Sequence, residues 1–228
     1  MNVPGLLPDI CFRLGLIAIS ASVVVTWALM AALAMAALLL ARRPGASQAL
    51  LEPAVLAMLH AVQDVQGDAG EAKVLLPFIG TIWIFLLCAN LIGLLPGLRS
   101  PTSDLSVTAS LALAVFLAVH VYGVRLNGWR DYLRHFVRPS PWLLPFEIIG
   151  ELSRTLALAI RLFGNISSLE LAAYFVLLVA GALLPVPILM LHIVEALLQA
   201  YIFGMLALVY IAAGLAAHPS QKRIEAAL

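Results

Sequence analysis

The sequence predicts an all-α polytopic membrane protein, with about five spanning helices, one interfacial amphipathic helix, and a long tilted hairpin made by the last two spans. Three observations carry that prediction. Of 228 residues, 63% are hydrophobic and only 11% charged, where soluble domains run nearer a quarter charged. Mean hydropathy is +1.05, and several apolar runs exceed the roughly 18 residues that mark a membrane-crossing helix. The polar residues that interrupt the final runs recur at helical spacing, as they would on one face of a helix.

Taken in order, residues 14–41 form the first expected span, closed by Arg42, Arg43, Pro44 and Gly45. This run is about twice the length of a signal-peptide apolar region, so it is expected to stay as a helix. Residues 48–66 place Leu51, Val55, Met58, Leu59, Val62 and Val65 on one helical face, with Glu52, His60, Gln63, Asp64 and Gln66 between them. That segment is too polar to span and reads as an amphipathic helix lying in the interface or packed on a neighbour.

Residues 74–95 and 105–124 are the next two spans, separated by the turn Pro96-Gly97-Leu98-Arg99-Ser100-Pro101. Thr102-Ser103-Asp104 leads into the second of them as a helix N-terminus. A basic loop follows, with Arg125, Arg130, Arg134 and Arg138 ahead of the Pro139-Ser140-Pro141 break. Residues 146–178 and 186–215 are interrupted only around Gly181 to Pro185. At 1.5 Å per residue the first would measure about 50 Å against a hydrocarbon core of about 30 Å, so it must tilt, bend or run along the membrane. The whole chain, 1–228, reads as one membrane domain that ends in the long hairpin at 146–215.

The positions of the basic residues predict orientation. With the N-terminus outside and alternating spans, Arg42, Arg43, Lys73, Arg125, Arg130, Arg134, Arg138, Lys222 and Arg223 lie inside, and Arg13 and Arg99 outside. Nine against two is a clear positive-inside assignment, with the C-terminus cytoplasmic. The net charge of +1 says nothing about nucleic acid, but no Lys/Arg cluster is dense enough to suggest it, so no nucleic-acid partner is expected. Cys11 and Cys88 lie at unrelated depths and imply neither a disulfide framework nor a metal site. The chain shows no internal repeat, which argues against the inverted-repeat transporters.

The chemistry concentrates in the last two runs. Arg161 sits in the middle of an apolar segment, where a charge costs about 2.5–3.5 kcal/mol on insertion scales and persists mainly where it has a task. Glu147, Arg154 and Arg161 recur every seven residues on one face, and Asn165 follows Arg161 by four. Glu170 lies nine residues past Arg161, on the opposite face and about 13.5 Å further along the axis. In the final run His192, Glu195 and Gln199 form a second polar stripe.

Glu147 and Arg154 therefore lie toward the inner surface, Arg161 is central, and Glu170 and His192 lie toward the outer end. Glutamates and a histidine at graded depths can pass a proton, whereas an arginine cannot lose one. Arg161 reads as a fixed cationic barrier between two half-paths.

Bland readings stand beside these. Arg161 pairs with an acid on a neighbouring helix, or Glu170 and His192 pair with each other across the hairpin. Gln199 makes a helix–helix hydrogen bond, worth about 0.6 kcal/mol on average in membranes. Glu147 is a solvated end residue, and Glu151 with Arg154 is a local ion pair. Asp104 is a helix cap or a channel residue, and Asn90, near a span end, carries the same ambiguity.

Four blocks in order carry a family resemblance. These are Asn90-Leu91-Ile92-Gly93-Leu94-Leu95-Pro96-Gly97; Pro101-Thr102-Ser103-Asp104-Leu105-Ser106; Leu158-Ala159-Ile160-Arg161-Leu162-Phe163-Gly164-Asn165, followed by Glu170; and Leu198-Gln199-Ala200-Tyr201-Ile202-Phe203. Over residues 74–215 the chain resembles subunit a of F-type ATP synthases.

The resemblance implies an ion-translocating stator subunit of the membrane sector in a bacterial inner membrane, with H⁺ as the expected ion. The chain itself would be non-catalytic and without a cofactor or metal. Its implied partners are the c-subunit ring, the b subunits of the peripheral stalk and the bilayer. Arg161 matches the family's essential arginine. Asn165, Glu170, His192 and Gln199 match the outer half-channel, with Asp104 and Asn90 as further candidates. Glu147 matches the inner half-channel, with Ser153 nearby. The chain departs from the family at Leu169, where Gly is common, and at His192, where many members have Glu; here Glu195 lies one turn later. The alternative function is a self-contained transporter or channel in which Arg161 binds an anionic substrate. A metalloprotease is excluded, because His192 and Glu195 do not form H-E-x-x-H.

Overall fold

Five helices that are long and apolar enough to cross a membrane make up most of the described chain. The structure, a computed structural model, describes residues 10–14, 17–42, 46–67, 69–95, 99–129, 142, 144–180 and 186–216. In chain order the elements are β1 (Ile10–Leu14), β2 (Ile17–Ser20), α1 (Ala21–Ala41), α2 (Ala46–Gln66), α3 (Ala69–Ile92), a 3₁₀ turn (Pro101–Ser103), α4 (Leu105–Asn127), α5 (Leu144–Ala180) and α6 (Val186–Ala216).

The N-terminal end differs from expectation. Residues 14 and 17–20, read as the start of the first span, belong to an antiparallel hairpin in which Phe12 pairs with Ile19 and Leu14 with Ile17. β-Branched and aromatic residues suit a strand, and in a short apolar run periodicity does not separate strand from helix. The helix starts one residue after Ser20 and keeps 21 residues, about 32 Å, which still matches a bilayer core.

Helix ends are set by local chemistry. Asp104 N-caps α4, its Oδ1 accepting from the Ser106 N–H at 2.9 Å. Gly67 follows α2 at φ +74° and Gly128 follows α4 at φ +86°. Their N–H groups reach back to the Gln63 and Val124 carbonyls at 2.8 and 2.9 Å, a left-handed ending that glycine adopts without strain.

Lipid tails are as apolar as leucine, so helices in a membrane associate through close packing rather than hydrophobic exclusion. The α3–α6 pair is the most extensive contact, and small residues bring the two together. Ala72 and Ala89 on α3, and Ala196, Ala200 and Ala207 on α6, are all buried. Gly204 of α6 lies against the Trp83 indole, whose Nε1–H donates to the Tyr201 carbonyl at 3.3 Å.

α4 packs on both α5 and α6, and the amphipathic α2 packs on α3 through Met58, Leu59 and Val62. The apolar windows of α3 and α6 are each 44% buried, but those of α1 and α5 only 6% and 11%. α1 and α5 thus present most of their surface outward, and α5 carries Arg161.

Candidate functional site

The buried stripe of α5 runs through Leu158, Leu162 and Ile166, four residues apart, and locks that side of the helix onto the core. Arg161 therefore points away from the core and is exposed. Among the described residues it makes no hydrogen bond or ion pair, so the bland reading of a charge paired with a neighbouring helix is not what the structure shows.

One turn later, Asn165 donates from Nδ2 to Gln199 Oε1 of α6 at 3.0 Å. Gln199 is 1% exposed, and its own Nε2 has no partner among the described residues. A buried amide donor left unpaired costs about 1–3 kcal/mol. Gln199 thus presents an unsatisfied N–H beside the arginine level of the α5–α6 seam.

A second polar group fills the end of the bundle near the α3–α4 connection. The Glu170 Oε1 accepts the Ser100 backbone N–H at 2.9 Å. Ser100 Oγ lies 2.6 Å from Thr102 Oγ1, and the Thr102 hydroxyl donates to Asn90 Oδ1 at 2.6 Å. Asn90 Nδ2 reaches the Ala196 carbonyl at 3.5 Å, and its own carbonyl accepts from His192 Nε2 at 3.2 Å. A carbonyl can only accept, so this contact places a proton on Nε2 and leaves Nδ1 as the basic nitrogen of the neutral ring.

Asn90, Ser100, Thr102 and His192 are all buried, while Glu170 is partly open. Glu170 and His192 are thus joined through Asn90, Ser100 and Thr102, not by a direct bond among the described residues. Sequence reading passed over Ser100 and Thr102, although both lie in or beside a quoted block. Their signal was the 3₁₀ turn itself, since Ser100 caps it by accepting from the Thr102 N–H at 3.3 Å.

Gly93 makes room for this arrangement. A Cβ there would sit 3.0 Å from Glu170 Oε1 and 3.0 Å from Ser100 Cβ. Gly93→Ala is expected to push the carboxylate off the Ser100 N–H and slow any proton transfer through Glu170 by roughly tenfold, the low end of what a positioned proton-transfer group contributes. Transport assays on assembled complexes check this.

Glu195, Asp104, Glu147 and Ser153 fall outside the network. Glu195 is half-buried, without a bond among the described residues, to one side of the buried stripe that carries His192, Ala196, Gln199 and Phe203. Asp104 caps α4 and accepts from Ser20 Oγ at 3.2 Å, tying it to the start of α1. Glu147 and Ser153 are exposed near the N-terminal end of α5. Glu151, read as a partner of Arg154, has that charge acting on it and also faces His120 of α4 at 3.8 Å. No group of three His, Cys, Asp or Glu side chains among the described residues could hold a metal ion.

Comparison with known proteins bears on this geometry. The family model described as ATP synthase A chain matches residues 16–212. The chain belongs to the ATP synthase A chain family. It is 50% identical over 230 residues to "ATP synthase subunit a" of Legionella pneumophila (strain Corby), covering 99% of both chains. It is 58% identical over 212 residues to "ATP synthase subunit a 1" of Hahella chejuensis, covering 91% of this chain and 89% of that one. It is 55% identical over 205 residues to "ATP synthase subunit a 2" of Pelobacter propionicus, covering 88% and 89%. The match to the ATP synthase A chain family spans both polar groups, from Asn90 to Gln199.

Proposed function

We propose that this chain is the ion-translocating stator subunit of the membrane sector of an ATP synthase, with the proton as its ion. One observation carries the reading: Arg161 is exposed on α5 with no partner among the described residues, between a buried polar network at one end and Glu147 at the other. An unpaired charge in an apolar span needs a counter-charge, and the exposed α5 surface offers it to a carboxylate on another subunit.

A proton entering past Glu170, His192, Asn165 and Gln199 neutralises a carboxylate of the c-subunit ring, which can then turn into lipid. A site arriving from the other side is drawn to Arg161 and releases its proton past Glu147. The transmembrane potential supplies about 2.3 kcal/mol per charge per 100 mV, so several transfers are summed for each ATP. In this role the chain does no bond chemistry itself and needs no cofactor. With the c-subunit ring, the b subunits of the peripheral stalk are the partners this role implies. The basic residues near the span ends support an N-terminus outside and a cytoplasmic C-terminus in a bacterial inner membrane. The relatives, all named as ATP synthase subunits, give no support to a self-contained transporter that binds an anion at Arg161.

Glu170→Gln tests the reading. The amide still accepts the Ser100 N–H but cannot exchange a proton, so assembly is expected to persist while proton pumping falls at least about tenfold. Loss of assembly with unchanged transport per assembled complex would make Glu170 a structural residue.

A further inference from the structure

The α4–α5 seam holds a pair that the two polar groups above do not use. His120 Nε2 lies 3.8 Å from Glu151 Oε2, with side-chain exposures of 32% and 22%. The other ring nitrogen, Nδ1, is 2.8 Å from the Phe116 carbonyl. Since a carbonyl cannot donate, Nδ1 carries the hydrogen in that contact, and the neutral ring turns the Nε2 lone pair toward the carboxylate. The Phe116 ring, 4.4 Å away centroid to centroid, packs against the imidazole. With His120 neutral and Glu151 ionised, two acceptors face each other, and one proton between them turns repulsion into attraction.

Its place is also informative. Glu151 is one helical turn past Glu147 and ten residues before Arg161, about 15 Å along the α5 axis. The other charged groups acting on it are Arg154 and Glu147 of α5 itself. α4 adds Arg125, exposed five residues past His120, and the 204–216 stretch of α6 has Tyr210 as its one titratable residue, packed on the core. The 3₁₀ turn lies at the opposite end of α4.

We propose that His120 and Glu151 form a proton-holding station on the inner path, which then runs along the α4–α5 seam. The inference rests on the stator reading above. A proton released near Arg161 binds as Nε2–H⁺ or as the Glu151 carboxylic acid, taking the pair from a charge of −1 to 0. It then leaves to water at the Glu147 end, restoring −1; no other bond changes. The competing account is an ion pair that only holds α4 to α5.

The test is proton flux through the assembled complex in liposomes, driven by a potassium diffusion potential, as the pH of the Glu147-side compartment is varied. The double variant His120→Gln/Glu151→Gln keeps hydrogen-bonding amides across the seam but has no proton site. It is expected to assemble, carry about tenfold less flux and lose the pH dependence on that side, while Glu151→Asp retains the dependence. Flux and profile equal to the unsubstituted complex would overturn the proposal.

A second measurement needs no variant. In complexes labelled with ¹⁵N-histidine, the His120 ring is expected to show both the Nδ1–H form and the form protonated on both nitrogens; one unchanging form would equally overturn the station. Arg161→Ala run in parallel separates the two readings. If it abolishes pumping while the pair variants are silent, only the station fails. If Arg161→Ala complexes pump normally, the stator reading fails and the station with it.

Discussion

Arg161→Ala is expected to abolish ATP-driven proton pumping while leaving the subunit in the complex. The argument is electrostatic. A charge worth about 2.5–3.5 kcal/mol at mid-membrane, at 1.36 kcal/mol per tenfold, controls a rate or a leak by roughly 10²-fold or more. Without it, a protonated site is not driven to release, and the two half-paths are no longer separated by a cation. Assembly should survive, because Arg161 is exposed and no described residue is left unpaired by its removal.

Arg161→Lys should also fail. An ammonium loses its proton when desolvated and cannot bind a carboxylate with two parallel N–H groups. Acidification of vesicles carrying the assembled complex, alongside quantification of the subunit, reads both effects. Pumping at the unsubstituted rate by Arg161→Ala complexes would remove the basis of the stator reading.

The second large effect is on stability. Gly204→Ala is expected to break the α3–α6 contact, because a Cβ at that position overlaps the indole of Trp83. Trp83 is buried; its Nε1–H is committed to the Tyr201 carbonyl, and its ring stacks on Tyr201 at 6.3 Å and 10°. Overpacking usually costs about 1–3 kcal/mol, and a fused ring in the most heavily packed seam places this case at the top of that range.

The subunit should lose thermal stability in detergent and fall in abundance in the membrane, with transport lost in proportion. Trp83→Leu in the same chain should restore abundance by vacating the ring volume. Normal accumulation of Gly204→Ala alone would mean that the helices approach elsewhere than at Trp83.

Reading by period worked where one force dominates. Each crossing segment is a long apolar run, and the bilayer leaves the backbone no alternative to satisfying its own hydrogen bonds. The five crossing helices were therefore visible as runs, apart from the first, where Ile17 and Ile19 were compatible with a strand as well as a helix. The stripe of α5 was equally legible: Glu147 and Arg161 share a face by arithmetic, and the structure exposes both.

Less legible was anything that crosses between helices. Whether His192 or Glu195 joins the polar network depends on a rotation of α6 that its own period does not specify. Burial of His192 beside Asn90 on α3 settles that in favour of His192. Asp104 serves as the cap its own span suggested, but its second contact, accepting from Ser20 Oγ at the start of α1, comes from outside that span. Glu151 looked like a neighbour of Arg154 three residues on, yet the structure adds a partner from α4, 31 positions back in the chain, whose approach no local spacing encodes.

By itself, the order of residues determined the class of molecule, the number of crossings and the axial order of Glu147, Arg161 and Glu170. All three are properties of one chain on one helical lattice, where 1.5 Å and 100° per residue leave no freedom. Tertiary structure decided which of those side chains meet. It put Ser100, Thr102 and Asn90 between Glu170 and His192, seated Gln199 against Asn165, paired Glu151 with His120, and left Arg161 facing outward. The reason is that helix rotation and seam contacts in a membrane are set by close packing, here by alanines and Gly204 against Trp83, and packing is a relation between segments that no single segment contains.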